Sequence, residues 1–242
     1  MENNNIVKDI QQIVEDNKVQ VIEVGERRFS TKQLNEIRPI KYTANQLRFS
    51  DLSSVVEIVK RELGRFDCPL YINIKSESCV EVVSSLDTEK AREIPYCAVA
   101  EGGRYNFGRG YDYENFVIAL RSLFVQNEET ATLLQLLKKV ASVESVEVED
   151  DGITQQVVTK QGAQLAQNVK VSPIYKLAPF RTFIEVEQPE SEFLFRLSDR
   201  TTFTLYEADG GAWKIKAKAN IRAFFEKAFT SEIAAGNVVI LG

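Results

Sequence analysis

Residues 176–197 read KLAPFRTFIEVEQPESEFLFRL, two apolar and aromatic runs joined by Gln-Pro-Glu-Ser, with one arginine in each run, Arg181 and Arg196. Side chains alternate between the two faces of a strand. A loop over 188–191 sets Glu187 opposite Glu192. Val186 then faces Phe193, Ile184 faces Phe195 and Thr182 faces Leu197, six residues on one face. A slip of one residue brings polar groups onto that face, so the pattern predicts this register. The opposite face then carries Arg181, Phe183, Glu185, Leu194 and Arg196, with Phe183 across from Arg196. Three roles fit that second face. It is solvated, with Arg196 stacked on Phe183 and paired with Glu185, each worth about a kcal/mol or less. It is a guanidinium fork for a phosphate or carboxylate. Or it is a subunit contact, where arginine and aromatic residues are enriched.

The surrounding sequence extends this hairpin into a meander. SVEVEDDGITQQVVTK (145–160) alternates about Asp151-Gly152, a dipeptide suited to a tight turn. TTFTLYEA (201–208) reads as the strand after the opening stretch, Trp213–Phe229 as a helix, and NVVIL (237–241) as a final strand. Glu144, Glu147, Glu149, Asp150 and Asp151 lack the spacing of a calcium loop and read as a solvated hairpin. Lys214, Lys218 and Arg222 share one helix face, and Asp209 is placed to cap that helix.

The N-terminal part reads differently. Residues 5–17 give a helix striped by Ile6, Ile10, Ile13 and Val14, followed by a hairpin over Val19–Phe29 turning at Gly25. Ser30–Gln33 caps a short helical turn before Pro39. Asp51 opens a helix with Leu52, Val55, Val56, Val59 and Leu63 at helical spacing, ended by Gly64. Leu70–Lys75 and Cys79–Leu86 form a hairpin, Thr88–Glu93 a brief helix and PYCAVA a short strand. Helices follow over 113–125 and 128–140, with Asn127 as N-cap and Glu128-Glu129 in the second one's first turn. The fold class is therefore α+β: a helical and short-strand part over 1–140, then an antiparallel β-meander with a C-terminal helix over 141–242.

Composition limits the chemistry. The 242 residues are 44% hydrophobic and 27% charged, as in ordinary globular proteins. No stretch approaches the roughly 20 apolar residues of a membrane span, and the polar N-terminus is not a signal peptide, so a cytoplasmic protein is expected. Cys68, Cys79 and Cys97 are odd in number without a CxxC pair and read as free thiols. The count of His is 0, which removes histidine-based nucleophile activation and histidine metal ligation. A net charge of -5 argues against nucleic acid as a partner. No cofactor, catalytic set or metal set is legible; among enzyme activities, a metal-dependent phosphoesterase using carboxylates ranks first, and the absent histidines count against it.

The loop EGGRYNFGRGYDY (101–113) combines four glycines, two arginines and four aromatics. It matches neither GxGxxG after a strand nor GxxxxGK[ST]. Glycine permits close approach of a backbone to a ligand, and aromatic faces stack bases; the same aromatics also serve to anchor a long surface loop. Arg104, Tyr105, Arg109 and Tyr111 are its candidate ligand-binding residues, alongside Arg181 and Arg196.

Five blocks together, NFG (106–108), ENFVIALRSLFV (114–125), EDDGITQQVVTKQG (149–162), LAPFRTFIEVEQPESEFLFRL (177–197) and EADGGAWK (207–214), resemble the YfdQ-like group of tailed-phage and prophage proteins of unknown function. The resemblance spans residues 80–225 and brings no catalytic residues with it. It implies a phage-encoded accessory protein in the cytoplasm of an infected or lysogenic bacterium. The resulting expectation is a non-enzymatic, homo-oligomeric protein that sequesters a small anionic, nucleotide-type host defence signal. Its arginines would hold phosphates and Tyr105 or Tyr111 would stack a base. The alternative is a protein–protein inhibitor of a host factor, or an accessory factor in phage DNA replication or recombination.

Overall fold

The computed structural model describes residues 3–24, 27–30, 45–66, 68–87, 90–141, 145–150, 155–161, 164–198 and 201–242; for 3–5, 24, 27–29, 141, 145–150, 155–161 and 164–171 it describes the backbone. Two units result, 1–43 and 44–242. In the first, helix α1 (Asn3–Asp16) is followed by antiparallel strands β1 (Val21–Val24) and β2 (Arg27–Ser30). Helix and hairpin are as the sequence predicts. The cap at 30–33 lies mostly outside the described residues.

The second unit opens with β3 (Leu47–Phe49) and α2 (Leu52–Glu62). Asp51 accepts from the Ser54 amide at 2.6 Å, the expected N-cap. Leu52, Val55 and Val59, at helical spacing, are fully buried. Strands β4 (Leu70–Ser76) and β5 (Cys79–Ser84) form the predicted hairpin, and β6 (Tyr96–Val99) pairs antiparallel to β5. The described part of the expected helix at 88–93 is not helical: Ser84 Oγ and Ser84 N–H bond the backbone of Glu93, which holds this segment against the strand instead.

Helices α3 (Tyr113–Leu123) and α4 (Glu128–Ala141) come next. Asn127 accepts from the Thr130 amide at 2.8 Å and caps α4 as predicted. Strands β7 (Ser145–Asp150), β8 (Gln155–Gln161) and β9 (Gln164–Val171) form one antiparallel sheet. The Asp151-Gly152 turn lies outside the described residues. Strands β10 (Ile174–Leu177), β11 (Ser191–Ser198) and β12 (Thr202–Glu207) form another. The chain closes with α5 (Trp213–Ala228), α6 (Thr230–Ala234) and β13 (Val238–Leu241).

Strand β13 does not extend the meander. It lies parallel to β4 at the edge of a mixed sheet ordered β13-β4-β5-β6-β3. Residues 140 and 141 thus fall inside the second unit, whose mixed sheet joins the strands before residue 100 to the last strand of the chain. One face of this sheet, Leu70, Ile72, Ile74, Val80, Val82, Tyr96 and Ala98, packs with α2 and with Ile221 and Phe225 of α5. A separate, aromatic core joins α3 and α4 to β10–β12 through Phe116, Leu120, Leu133, Leu137, Phe193, Phe195 and Phe203.

The register expected for 176–197 is overturned. Strand β11 pairs with β10, so Tyr175 rather than Val186 faces Phe193, and with β12, which places Leu205 opposite Phe195 and Phe203 opposite Leu197. The alternation of β11 itself holds, with Phe193, Phe195 and Leu197 buried. Residues 178–190 instead form an irregular excursion between β10 and β11. Its backbone is satisfied by a side chain. The buried Gln188 amide oxygen accepts from the Arg181 and Thr182 N–H groups at 3.1 and 3.4 Å, and its nitrogen donates to the carbonyls of Phe183 and Val186 at 2.9 and 3.1 Å. Near the start, Phe180 donates to Leu123 and Val125 donates to Ala178, both at 2.8 Å. Phe183 and Val186 thereby enter the core of the mixed sheet, while Ile184, expected in a core, is 77% exposed.

A candidate anion-binding cleft

The loop after β6 is strapped to the free edge of β12. Gly108 donates to Leu205 at 2.8 Å, and Tyr111 and Phe203 exchange hydrogen bonds of 2.9 and 2.8 Å. A Cβ at Gly110 would lie 2.4 Å from Thr202 Cγ2, so any larger residue there has to displace the Thr202 side chain. Its aromatics are anchors. Tyr105 stacks on Tyr111 with ring centres 4.9 Å apart, and Phe107 stacks on Phe193 at 5.0 Å. Tyr105 is only 5% exposed, and burial pushes its phenol pKa up. The ring proposed to stack a base is a core residue, with Phe116 and Phe124 also against it.

Past the strap, Asp112 caps α3, and the helix ends at Leu123 beside the first residues of the same loop. At Gly103 a Cβ would come within 3.2 Å of Leu123 Cδ2, so glycine lets the loop lie close to the helix end. Between 100–104, Ser122-Leu123 and 180–184 lies a cleft of about 260 Å3. Arg104 and Arg181 both line it, with Gly102, Gly103, Thr182 and the exposed ring of Phe180. A neighbouring hollow of about 400 Å3 contains Arg109 and Tyr111 and shares Ser122 and Leu123 with the first. The Arg109 guanidinium lies 5.8 Å from the centre of the Tyr111 ring.

The two arginines of the opening stretch are apart in role. Arg181 is 7% exposed. It donates to Glu207 at 2.8 Å and to Ser191 Oγ, and its guanidinium lies 3.8 Å from the centre of the Trp213 ring. Burial pushes its pKa down to about 10, opposed mainly by Glu207 and then by Asp209. Its charge is thus largely committed within the protein. Arg196 is half-buried on β11 opposite Thr204 and does not line the cleft. Arg104 is exposed and supplies the accessible cation.

The start of α5 and the end of its basic face are engaged from within. Asp209 accepts from the amides of Gly211 and Trp213 at 3.0 and 3.2 Å, so the start of α5 carries its own carboxylate. Arg222 donates to the Gly242 carbonyl at 2.7 Å and fastens the last strand to α5. Gln188, which orders the wall of the cleft, was not singled out in the sequence. The signal available was a buried-strand pattern interrupted by Gln188-Pro189. Among the described residues, no helix is long and apolar enough to cross a membrane. No family model, no curated protein and no solved structure matches this chain.

Proposed function

We propose that the protein is a non-enzymatic binding protein that captures a small anionic ligand in the cleft between residues 100–104 and 180–184. The observation that carries this reading is that Arg104 and Arg181, far apart in sequence, line one cleft. Arg104 supplies a guanidinium fork for a phosphate or carboxylate. The Gly102-Gly103 backbone allows close approach, and the Phe180 ring offers an aromatic face. Arg181 lines the wall with its charge paired to Glu207 and offers no free fork. The phage context implied by the five sequence blocks makes a nucleotide-type defence signal the ligand class of choice, held by sequestration.

Calorimetry against a panel of cyclic dinucleotides and ADP-ribose-type nucleotides tests this. Expected is one saturable ligand class, weakened at least tenfold by Arg104→Ala. Absence of heat across the panel, or an affinity indifferent to Arg104→Ala, removes the reading. Ile184, 77% exposed at the rim beside Phe180, favours a second reading in which the same face docks a host or phage protein. A stoichiometric partner recovered from infected cells, lost with Ile184→Asp and indifferent to Arg104→Ala, selects that reading instead.

A further inference from the structure

The mixed sheet has a second face, turned away from α2 and α5, and three metal-ligating side chains meet on it. Cys79 and Glu81 are two apart on β5 and so point to the same side. Cys97 of β6 lies directly opposite Glu81. The Cys79 sulfur, a Glu81 carboxylate oxygen and the Cys97 sulfur all lie within 4.8 Å of one another. Cys97 is 6% exposed, and the Glu81 side chain 15%. Lys75 donates to Oε1 of Glu81 at 2.8 Å and orients the carboxylate.

We propose that Cys79, Glu81 and Cys97 form a binding site for one thiophilic divalent cation of the Zn2+ class. Bonds of about 2.3 Å to sulfur and about 2.1 Å to oxygen place neighbouring tetrahedral ligand atoms about 3.5–3.8 Å apart. The observed cluster reaches that spacing through side-chain movements of about an ångström or less. Two thiolates select such a cation over Mg2+ or Ca2+, which prefer oxygen donors. On binding, each cysteine loses its S–H proton to solvent and forms a metal–sulfur bond; Glu81 contributes as the carboxylate. One of its oxygens ligates while the other stays with Lys75. Three protein donors leave a fourth position for water or a small ligand. The site cross-links β5 and β6 and is distinct from the cleft that contains Arg104.

Co2+ is the probe. The full chain, reduced and freed of metal by a chelator, is titrated with Co2+ and read by absorbance. Expected is one equivalent bound, with a thiolate-to-cobalt charge-transfer band and the strong visible bands of tetrahedral Co2+. One equivalent of Zn2+ displaces it, and excess Mg2+ does not. Cys79→Ser and Cys97→Ser abolish the charge-transfer band, and Glu81→Gln lowers affinity at least tenfold. Cys68→Ser, at a cysteine outside the cluster, leaves the spectrum unchanged. Thermal melting of each metal-free variant shows that it folds, and Zn2+ raises the melting temperature of the unsubstituted chain but not of Cys79→Ser. A reduced chain without the charge-transfer band, or a folded Cys79→Ser variant with the unsubstituted spectrum, overturns the proposal.

Discussion

Residues 180–187 and 191–198 each end in an alternating quartet, IEVE and FRLS, and they take different structures. The second is β11, paired on both sides, with each odd-numbered apolar residue from Phe193 to Leu197 in the aromatic core. The first is an irregular plug that sends Phe183 and Val186 into the other core. The difference is where the backbone finds partners. In β11 they come from the neighbouring strands. In the plug four of them come from one glutamine side chain and others from α3, α5 and the plug itself, while Pro179 and Pro189, which have no N–H, flank the segment. Alternation therefore names a face only when a neighbouring strand is present to define one.

The largest effect that separates the two regions is at Phe183. It is 1% exposed, so Phe183→Ala should cost about 3–5 kcal/mol in denaturant unfolding. Ile184→Ala should stay within about 0.5 kcal/mol, because its side chain is solvated. The hairpin register would reverse these two results. Next comes Gln188. Removing its amide strands two backbone N–H groups and two carbonyls, so Gln188→Ala should cost about 2–3 kcal/mol. Gln188→Glu retains the acceptor and sets a carboxylate against the Phe183 and Val186 carbonyls; it should be no milder. Equal stability of Gln188→Glu and the unsubstituted chain would show that the donor half of the amide is unimportant.

Elements with local signals were legible. Asp51 with Leu52, Val55 and Val59 specifies α2, and Asn127 with Glu128-Glu129 specifies the start of α4. The β4–β5 hairpin follows from alternation with a short polar turn. What was not legible depends on distant partners. Strand β13 pairs with β4 across most of the chain length, and no local pattern encodes that neighbour. Strand β9, QLAQNVKV, is too polar to stand out. Within the loop at 101–113, glycines and aromatics announced an unusual structure, but not that Tyr105 turns inward while Arg104 turns out. The cysteines are an odd set without a CxxC pair. The Cys79-Val80-Glu81 spacing fixes a shared face, but Cys97 joins it only through the register of β6.

The plug also acts on a helix, which gives two smaller tests. The first-turn amides of α2 are divided between carboxylates: Glu185 accepts from Leu52 and Ser53 at 2.5 and 2.8 Å, and Asp51 from Ser54. Glu185→Ala should cost about 1 kcal/mol, since Asp51 continues to serve one amide.

Helix α3 has no contribution from the plug to its cap; Asp112 accepts from the Asn115 amide at 2.8 Å. That hydrogen bond, with the Asn115 side chain second, holds the Asp112 carboxyl below its ordinary value of 3.8. The unfolded chain then binds more protons than the folded one between the two values, so stability rises with pH across that window. The charge contribution is complete above 3.8 and is lost as pH falls through the lower, folded value. Asp112→Asn keeps an N-cap acceptor and cannot titrate. Its unfolding midpoint should match or fall slightly below that of the unsubstituted chain at neutral pH, and the difference should close or reverse in acid. A difference that is constant with pH would assign the cap's contribution to hydrogen-bond geometry alone, and α3 would then owe nothing to the charge that α2 receives twice.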